Sequence, residues 1–286
     1  MLAMLQTVEI EHYIVILSAL ILWIVLYYIR RVLVRRQSTT TPTTGIQIGN
    51  GQSIGRREEQ DDYFSSSTTS VGTLAVIADG ISGLSNGRMA STLAVTVFSK
   101  EFLLLEKTED FTEFFSKAAM QSNSGILANL SGSNGGTTLV TAVVSSGMLH
   151  WAAVGDSMIS VFREGEFISM NSKHTVETLL HEQVLSGEMT KEEAETSPVR
   201  KHLVNYLGYE GFRNMEIGEP FRLRKQDRIM LASDGIYDAL SEVELEEMLK
   251  QKKPVEDIAD DIIEQIEALG LRNQDNATVI ILEKGW

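Results

Sequence analysis

The sequence predicts an α+β domain, with blocks of antiparallel strands separated by helix pairs, behind a single membrane-spanning helix. Three observations carry that expectation. Short apolar, β-branched runs bounded by Gly, Asp and Asn recur from residue 73 to residue 282, the pattern of strands joined by tight turns. Longer helical stretches fall between these runs two at a time, which separates helices from sheet segments. Near the N-terminus, Tyr13 to Ile29 contains no charged residue.

That apolar stretch is at the short end of what crosses a bilayer as a helix. Glu9 and Glu11 precede it and Arg30, Arg31, Arg35 and Arg36 follow it. The positive-inside rule therefore predicts a single-pass protein of the cell membrane with its folded part in the cytoplasm. A secretory signal peptide would carry its positive charges before the run and small residues after it. A buried core helix would show a polar stripe, and this segment has only Ser18. The chain is thus divided into a short segment at 1–12, a transmembrane helix in the lipid bilayer at 13–29, a basic and Thr-rich linker at 30–45, and a domain at 46–286.

Within the domain, strands are expected at Thr73–Ala78, Thr137–Val144, Met148–Val154, Met158–Arg163, around Arg222–Leu223, at Arg228–Ala232 and at Ala277–Leu282. Helices are expected at Met89–Leu105, Phe111–Leu130, Ser241–Gln251 and Val255–Leu269. Ser241 followed by Glu244 forms a capping box, and Ile258, Ile262, Ile263, Ile266 and Leu269 share one helix face.

Composition removes several functions. Asp and Glu total 39 against 25 Lys and Arg, for a formal charge of −14. The first fifty residues hold four Arg and two Glu, so the domain is more acidic still, and no nucleic acid is expected as a partner. The absence of cysteine rules out a thiolate nucleophile and Cys-ligated zinc.

Four aspartates share an unusual setting. Asp79 follows the apolar run Leu74–Ala78 and precedes Gly80, and Asp234 follows Ile229–Ser233 and precedes Gly235. Asp275 precedes the last apolar run, and Asp156 lies between two strands. One Asp-Gly pair alone is ordinarily a turn. Several carboxylates at the tips of buried strands are costly to desolvate unless positive charge sits against them. Glycine beside them lets backbone, including its carbonyl, approach a ligand. Oxygen donors of this kind suit Mg²⁺ or Mn²⁺ better than zinc. His12, His150, His174, His181 and His202 are scattered and read as structural or solvated.

The motifs Arg56–Asp61, Ala78-Asp-Gly-Ile-Ser-Gly83, Gly136-Thr-Thr138, Val154-Gly-Asp-Ser157, Leu207-Gly208, Leu231-Ala-Ser-Asp-Gly235 and Asp275-Asn-Ala-Thr-Val279 resemble, in order and spacing, the metal-dependent Ser/Thr protein phosphatases of the PPM (protein phosphatase 2C) family, bacterial type. The resemblance implies a four-layer α-β-β-α sandwich, two antiparallel sheets flanked by helix pairs. It implies two Mn²⁺ or Mg²⁺ ions, with Asp61, Asp79 and the carbonyl of Gly80 holding the metal pair, Asp79 bridging, and Asp234 and Asp275 completing the coordination of the second metal. Asp156 would serve a third, weaker ion. Arg56 would grip the substrate phosphate, with Arg57 as the alternative register, and Asp62 competes with Asp61 on physical grounds. The implied reaction is hydrolysis of phosphoserine or phosphothreonine in proteins by a metal-bridging hydroxide, reversing signalling by a membrane Ser/Thr kinase. A pseudophosphatase and a phosphatase of small phosphorylated molecules are the alternatives. Departures from the family pattern are Ile81, Ser82, Met158 and Glu59. Residues 172–198 resemble its variable flap, where substrate choice is expected to reside.

Overall fold

The computed structural model describes residues 45–81, 86–106 and 111–284, together with Trp23. Strands β1 (Ile46–Ser53), β2 (Asp62–Thr68) and β3 (Thr73–Asp79) lead into helices α1 (Gly87–Leu103) and α2 (Phe111–Leu130). Next come β4 (Leu139–Ser145), β5 (Met148–Val154), β6 (Met158–Arg163) and β7 (Glu166–Ser169), then α3 (Val176–Ser186) and α4 (Lys191–Thr196). The chain closes with β8 (Glu216–Ile217), β9 (Phe221–Arg222), β10 (Arg228–Ala232), α5 (Asp234–Tyr237), α6 (Glu242–Leu249), α7 (Val255–Leu269) and β11 (Ala277–Lys284).

All pairings are antiparallel. One sheet runs β1-β11-β10-β6-β7, and the other runs β2-β3-β4-β5-β8 with β9 also on β5. The sequence explains why the two sheets stack between helices. Side chains alternate faces along a strand. On β3, Leu74, Val76 and Ala78 pack against α1 and α2 while Ala75 and Ile77 face the other sheet. On β11, Val279 and Ile281 pack with Ile258 and Ile262 of α7 while Ile280 and Leu282 face inward. Strands buried on both faces read as continuous apolar runs, and burial of these side chains supplies the main stabilisation. The expected sandwich of two antiparallel sheets with flanking helix pairs is therefore what forms.

Helix α2 keeps its expected bounds, as does α7, which ends at Gly270 in the left-handed conformation. Helix α6 begins after Ser241, whose hydroxyl accepts from Glu244 N–H while the Glu244 carboxylate accepts from Ser241 N–H. Thr137 lies outside β4 and instead makes isolated bridges to Gly80 and Leu207. Four strands (β1, β2, β7 and β8) and the short helices α3, α4 and α5 were not expected as elements. The expected membrane segment, 13–29, lies outside the described residues except for Trp23. Among the described residues no helix is long and apolar enough to cross a membrane.

Candidate active site

Both sheets end at one cavity of about 640 Å³ whose wall carries Asp79, Asp156, Asp234 and Asp275. Each is delivered by a strand end. Asp79 is the last residue of β3, Asp234 opens α5 just after β10, Asp275 stands shortly before β11, and Asp156 lies in the turn from β5 to β6. Gly80 and Gly235 are required here by backbone packing. A Cβ on Gly235 would lie 2.0 Å from the Asn276 carbonyl oxygen, and one on Gly80 would lie 2.6 Å from the carbonyl oxygen of Gly87. These close approaches draw the aspartate-bearing loops together, so the glycines serve the neighbouring backbone rather than, as expected, a ligand alone.

Crowding of the carboxylates shows in their acidities. Burial, and then the charges of Asp62, Asp234, Asp156 and Asp275, hold the Asp79 carboxyl well above the usual range. Burial, followed by Asp156, Asp275 and Asp62, pushes Asp234 up to about 7. Asp156 is raised by burial and partly relieved by Lys173 and Lys201. Folding thus leaves like charges facing one another with little built-in compensation.

Asp62 is the acidic residue that sequence reasoning left as a competitor. It starts β2, pairs opposite Asp79, and is 2% exposed. Its Oδ2 accepts hydrogen bonds from Ser233 Oγ at 2.8 Å and Thr278 Oγ1 at 2.7 Å, and its Oδ1 is buried with no hydrogen-bond partner. Burial, against the opposing help of Thr278 and Ser233, raises its carboxyl to about 6. Asp61 stands immediately before β2. Its backbone N–H donates to Asn276 Oδ1 at 2.8 Å and its carbonyl accepts from Gly80 N–H at 3.2 Å, but its side chain is not part of the cavity wall.

The two adjacent arginines line different crevices. Arg56, expected to face the site, lines a separate crevice beside Glu267 and Gln274, because its N–H donates to the Gln274 carbonyl and Gly55 turns the chain at φ 63°. Arg57 lies on the cavity wall and pairs with Asp275 Oδ2 at 2.6 Å. Lys201 is the other cation on that wall, and Ile81 lines it as well.

Among the described residues no three His, Cys, Asp or Glu side chains close around a single ion. The donor set nonetheless fits hard cations that keep part of their water shell, since Mg²⁺ commonly binds through one or two carboxylates. The buried, unpartnered Asp62 Oδ1 and the raised pKa of Asp79 and Asp234 are features that a cation bound among these carboxylates would relieve.

The family model for protein phosphatase 2C matches residues 51–275. The chain belongs to that family. It is 31% identical over 221 residues to the serine/threonine phosphatase stp of Listeria innocua, covering 74% of this chain and 84% of that protein. It is 26% identical over 233 residues to the protein phosphatase PhpP of Streptococcus pneumoniae, covering 79% of this chain and 92% of that one. Among solved structures, the serine/threonine phosphatase of S. agalactiae superposes with a TM-score of 0.74 at 25% identity, covering 83% of this chain and 99% of the other. Mycobacterium tuberculosis PstP/Ppp superposes with a TM-score of 0.70 at 26% identity, covering 84% and 99%. A PstP catalytic domain in complex with two manganese ions has the same fold, with a TM-score of 0.68 at 24% identity and coverage of 83% and 97%. This protein phosphatase 2C is a protein-serine/threonine phosphatase.

In this phosphatase the titration of the cavity has a stability consequence whose sign is fixed. Asp234 binds its proton more tightly folded, at about 7, than at its ordinary 3.8. Its contribution to stability is fully present below about 4 and is lost as pH rises through about 7. In EDTA, the melting temperature of the wild type is expected to fall relative to Asp234→Asn as pH is raised from 4 to 8. A constant difference between the two across that range would contradict it.

Proposed function

We propose that this phosphatase hydrolyses phosphoserine and phosphothreonine in proteins with two Mn²⁺ or Mg²⁺ ions held at the cavity by Asp79, Asp234, Asp275 and the Gly80 carbonyl. Asp156 would serve a weaker third ion. The observation that carries this reading is the meeting of four strand-end aspartates, Asp79, Asp156, Asp234 and Asp275, in one cavity beside Arg57, with burial raising the pKa of Asp79, Asp156 and Asp234. Bound cations supply charge against the transferring phosphoryl group and a nucleophile at neutral pH.

The chain's own residues do the rest. The Arg57 guanidinium is placed to grip two phosphate oxygens, a geometry that suits its planar fork. Ser233 and Thr278 hold one oxygen of Asp62 and leave the other facing Asp79 across the β2–β3 pair, where it can orient water. Ile81, where some relatives carry histidine, gives no proton to the leaving alcohol. Asp61 is assigned a supporting role through its backbone, which pins Gly80 and Asn276.

The anchor is part of the same proposal. The uncharged run 13–29 and the arginines after it support a tether that keeps the domain at the cytoplasmic face, near a membrane Ser/Thr kinase or its targets. A form lacking residues 1–45 is expected in the soluble fraction of lysed cells, and its persistence with membranes would count against the tether.

The reaction is tested on the full chain in detergent. Hydrolysis of para-nitrophenyl phosphate should rise steeply with Mn²⁺ and return to background in EDTA, and phosphorylated casein should be turned over as well. Absence of metal-stimulated hydrolysis overturns the metal route. Turnover of small phosphoesters without the phosphoprotein overturns the substrate class.

A further inference from the structure

The segment between β7 and β8 carries α3 and α4, neither of which buries a single residue, so no core holds this arm in place. Its two stems pair with each other instead. Val176 N–H donates to the His202 carbonyl at 2.9 Å, and Val204 N–H donates to the His174 carbonyl at 2.9 Å. The returning stem then supplies Lys201, His202 and Leu203 to the cavity wall. Wherever the paired stems lean, one side of the active site goes with them.

The stems are fastened to the turn that carries Asp234. Lys173, on the outgoing stem, lies 4.2 Å from the centroid of the Tyr237 ring. The hydroxyl of the same tyrosine donates to the Asp156 backbone carbonyl. Lys201, on the returning stem, pairs with Asp238 at 2.9 Å. A backbone bond from His174 N–H to the Gly155 carbonyl, 2.8 Å, ties the outgoing stem to the turn that bears Asp156. An exposed ion pair is weak alone, whereas a cation over a half-buried ring is held more firmly.

We propose that Tyr237 is a positioning residue: its ring, by carrying Lys173, sets the lean of the 172–203 arm over the cavity, while its hydroxyl fixes the Asp156 turn beneath. The arm is thereby tied to the cavity floor, and how well a phosphorylated protein segment seats depends on the Lys173–Tyr237 contact. The inference rests on the reading that phosphoproteins are hydrolysed in this cavity.

Lys173→Met keeps the aliphatic stem and removes the charge from the ring. With the full chain and Mn²⁺, KM for phosphorylated casein is expected to rise about threefold or more, while kcat/KM for para-nitrophenyl phosphate stays within about twofold. Cleavage by a glutamate-specific protease within α4, at Glu192, Glu193 or Glu195, should accelerate, and this readout does not require turnover. Tyr237→Leu should expose α4 equally, the double variant no further, and Tyr237→Phe should keep the arm protected. Unchanged protection in Lys173→Met, additive effects in the double variant, or a parallel fall in para-nitrophenyl phosphate hydrolysis would overturn the proposal. Loss of metal-stimulated hydrolysis by the wild type would strike the cavity reading instead, leaving the protease result to decide the arm.

Discussion

Asp79→Asn is expected to lower kcat/KM for para-nitrophenyl phosphate in saturating Mn²⁺ by about a thousandfold or more, since forfeiting about 4 kcal/mol of metal-derived stabilisation has that effect on rate. Asp79 is held well above the usual carboxylate range by burial and then by the charges of Asp62, Asp234, Asp156 and Asp275. Replacing it with a neutral isostere removes that repulsion. The metal-free variant should therefore melt at a higher temperature than the metal-free wild type at pH 7.5. Activity and stability moving in opposite directions separates loss of a ligand from loss of the fold. A variant that is both inactive and less stable in EDTA would show that Asp79 is structural.

The second large effect discriminates between adjacent arginines. Arg57→Ala is expected to raise KM for phosphoesters about 10- to 100-fold, the loss of a charged hydrogen-bonding partner worth about 1.5–3 kcal/mol. Arg56→Ala should leave KM within about twofold, because Arg56 faces the crevice beside Gln274. Steady-state kinetics on the two variants decide the register, and equal effects would mean that the loop rearranges when phosphate binds. Arg57 is engaged by Asp275, so its grip on phosphate is expected to strengthen once a cation takes that carboxylate.

The parts of the fold that the sequence made visible are those buried on both faces. β3, β10 and β11 are apolar through their middles because one face meets helices and the other meets the opposite sheet. β1 and β2 were hidden for different reasons. In β1, Gly49 and Gly51 interrupt any apolar pattern, yet a Cβ at either would come within 2.1 Å and 2.7 Å of α7 respectively, so the glycines permit strand and helix to touch. β2 continues as Tyr-Phe-Ser-Ser-Ser-Thr, with no alternation to mark a buried face. Without that strand, Asp61 and Asp62 could not be assigned to faces, and family spacing favoured Asp61, whose side chain is not part of the cavity wall. The Arg56–Arg57 question had the same origin, since the loop between β1 and β2 has no period from which direction can be read. Asp79, Asp234, Asp275 and Asp156 were legible because an acid at the tip of a buried strand is conspicuous in any register.

The hydroxyls of Ser233 and Thr278, from the sheet that contains β10 and β11, close on Asp62, from the sheet that contains β2 and β3. Catalytic geometry in this protein is thus a property of the seam. Slippage of one sheet over the other would break the hydroxyl contacts that hold Asp62. A cation seated among these carboxylates would act as a rivet through both layers.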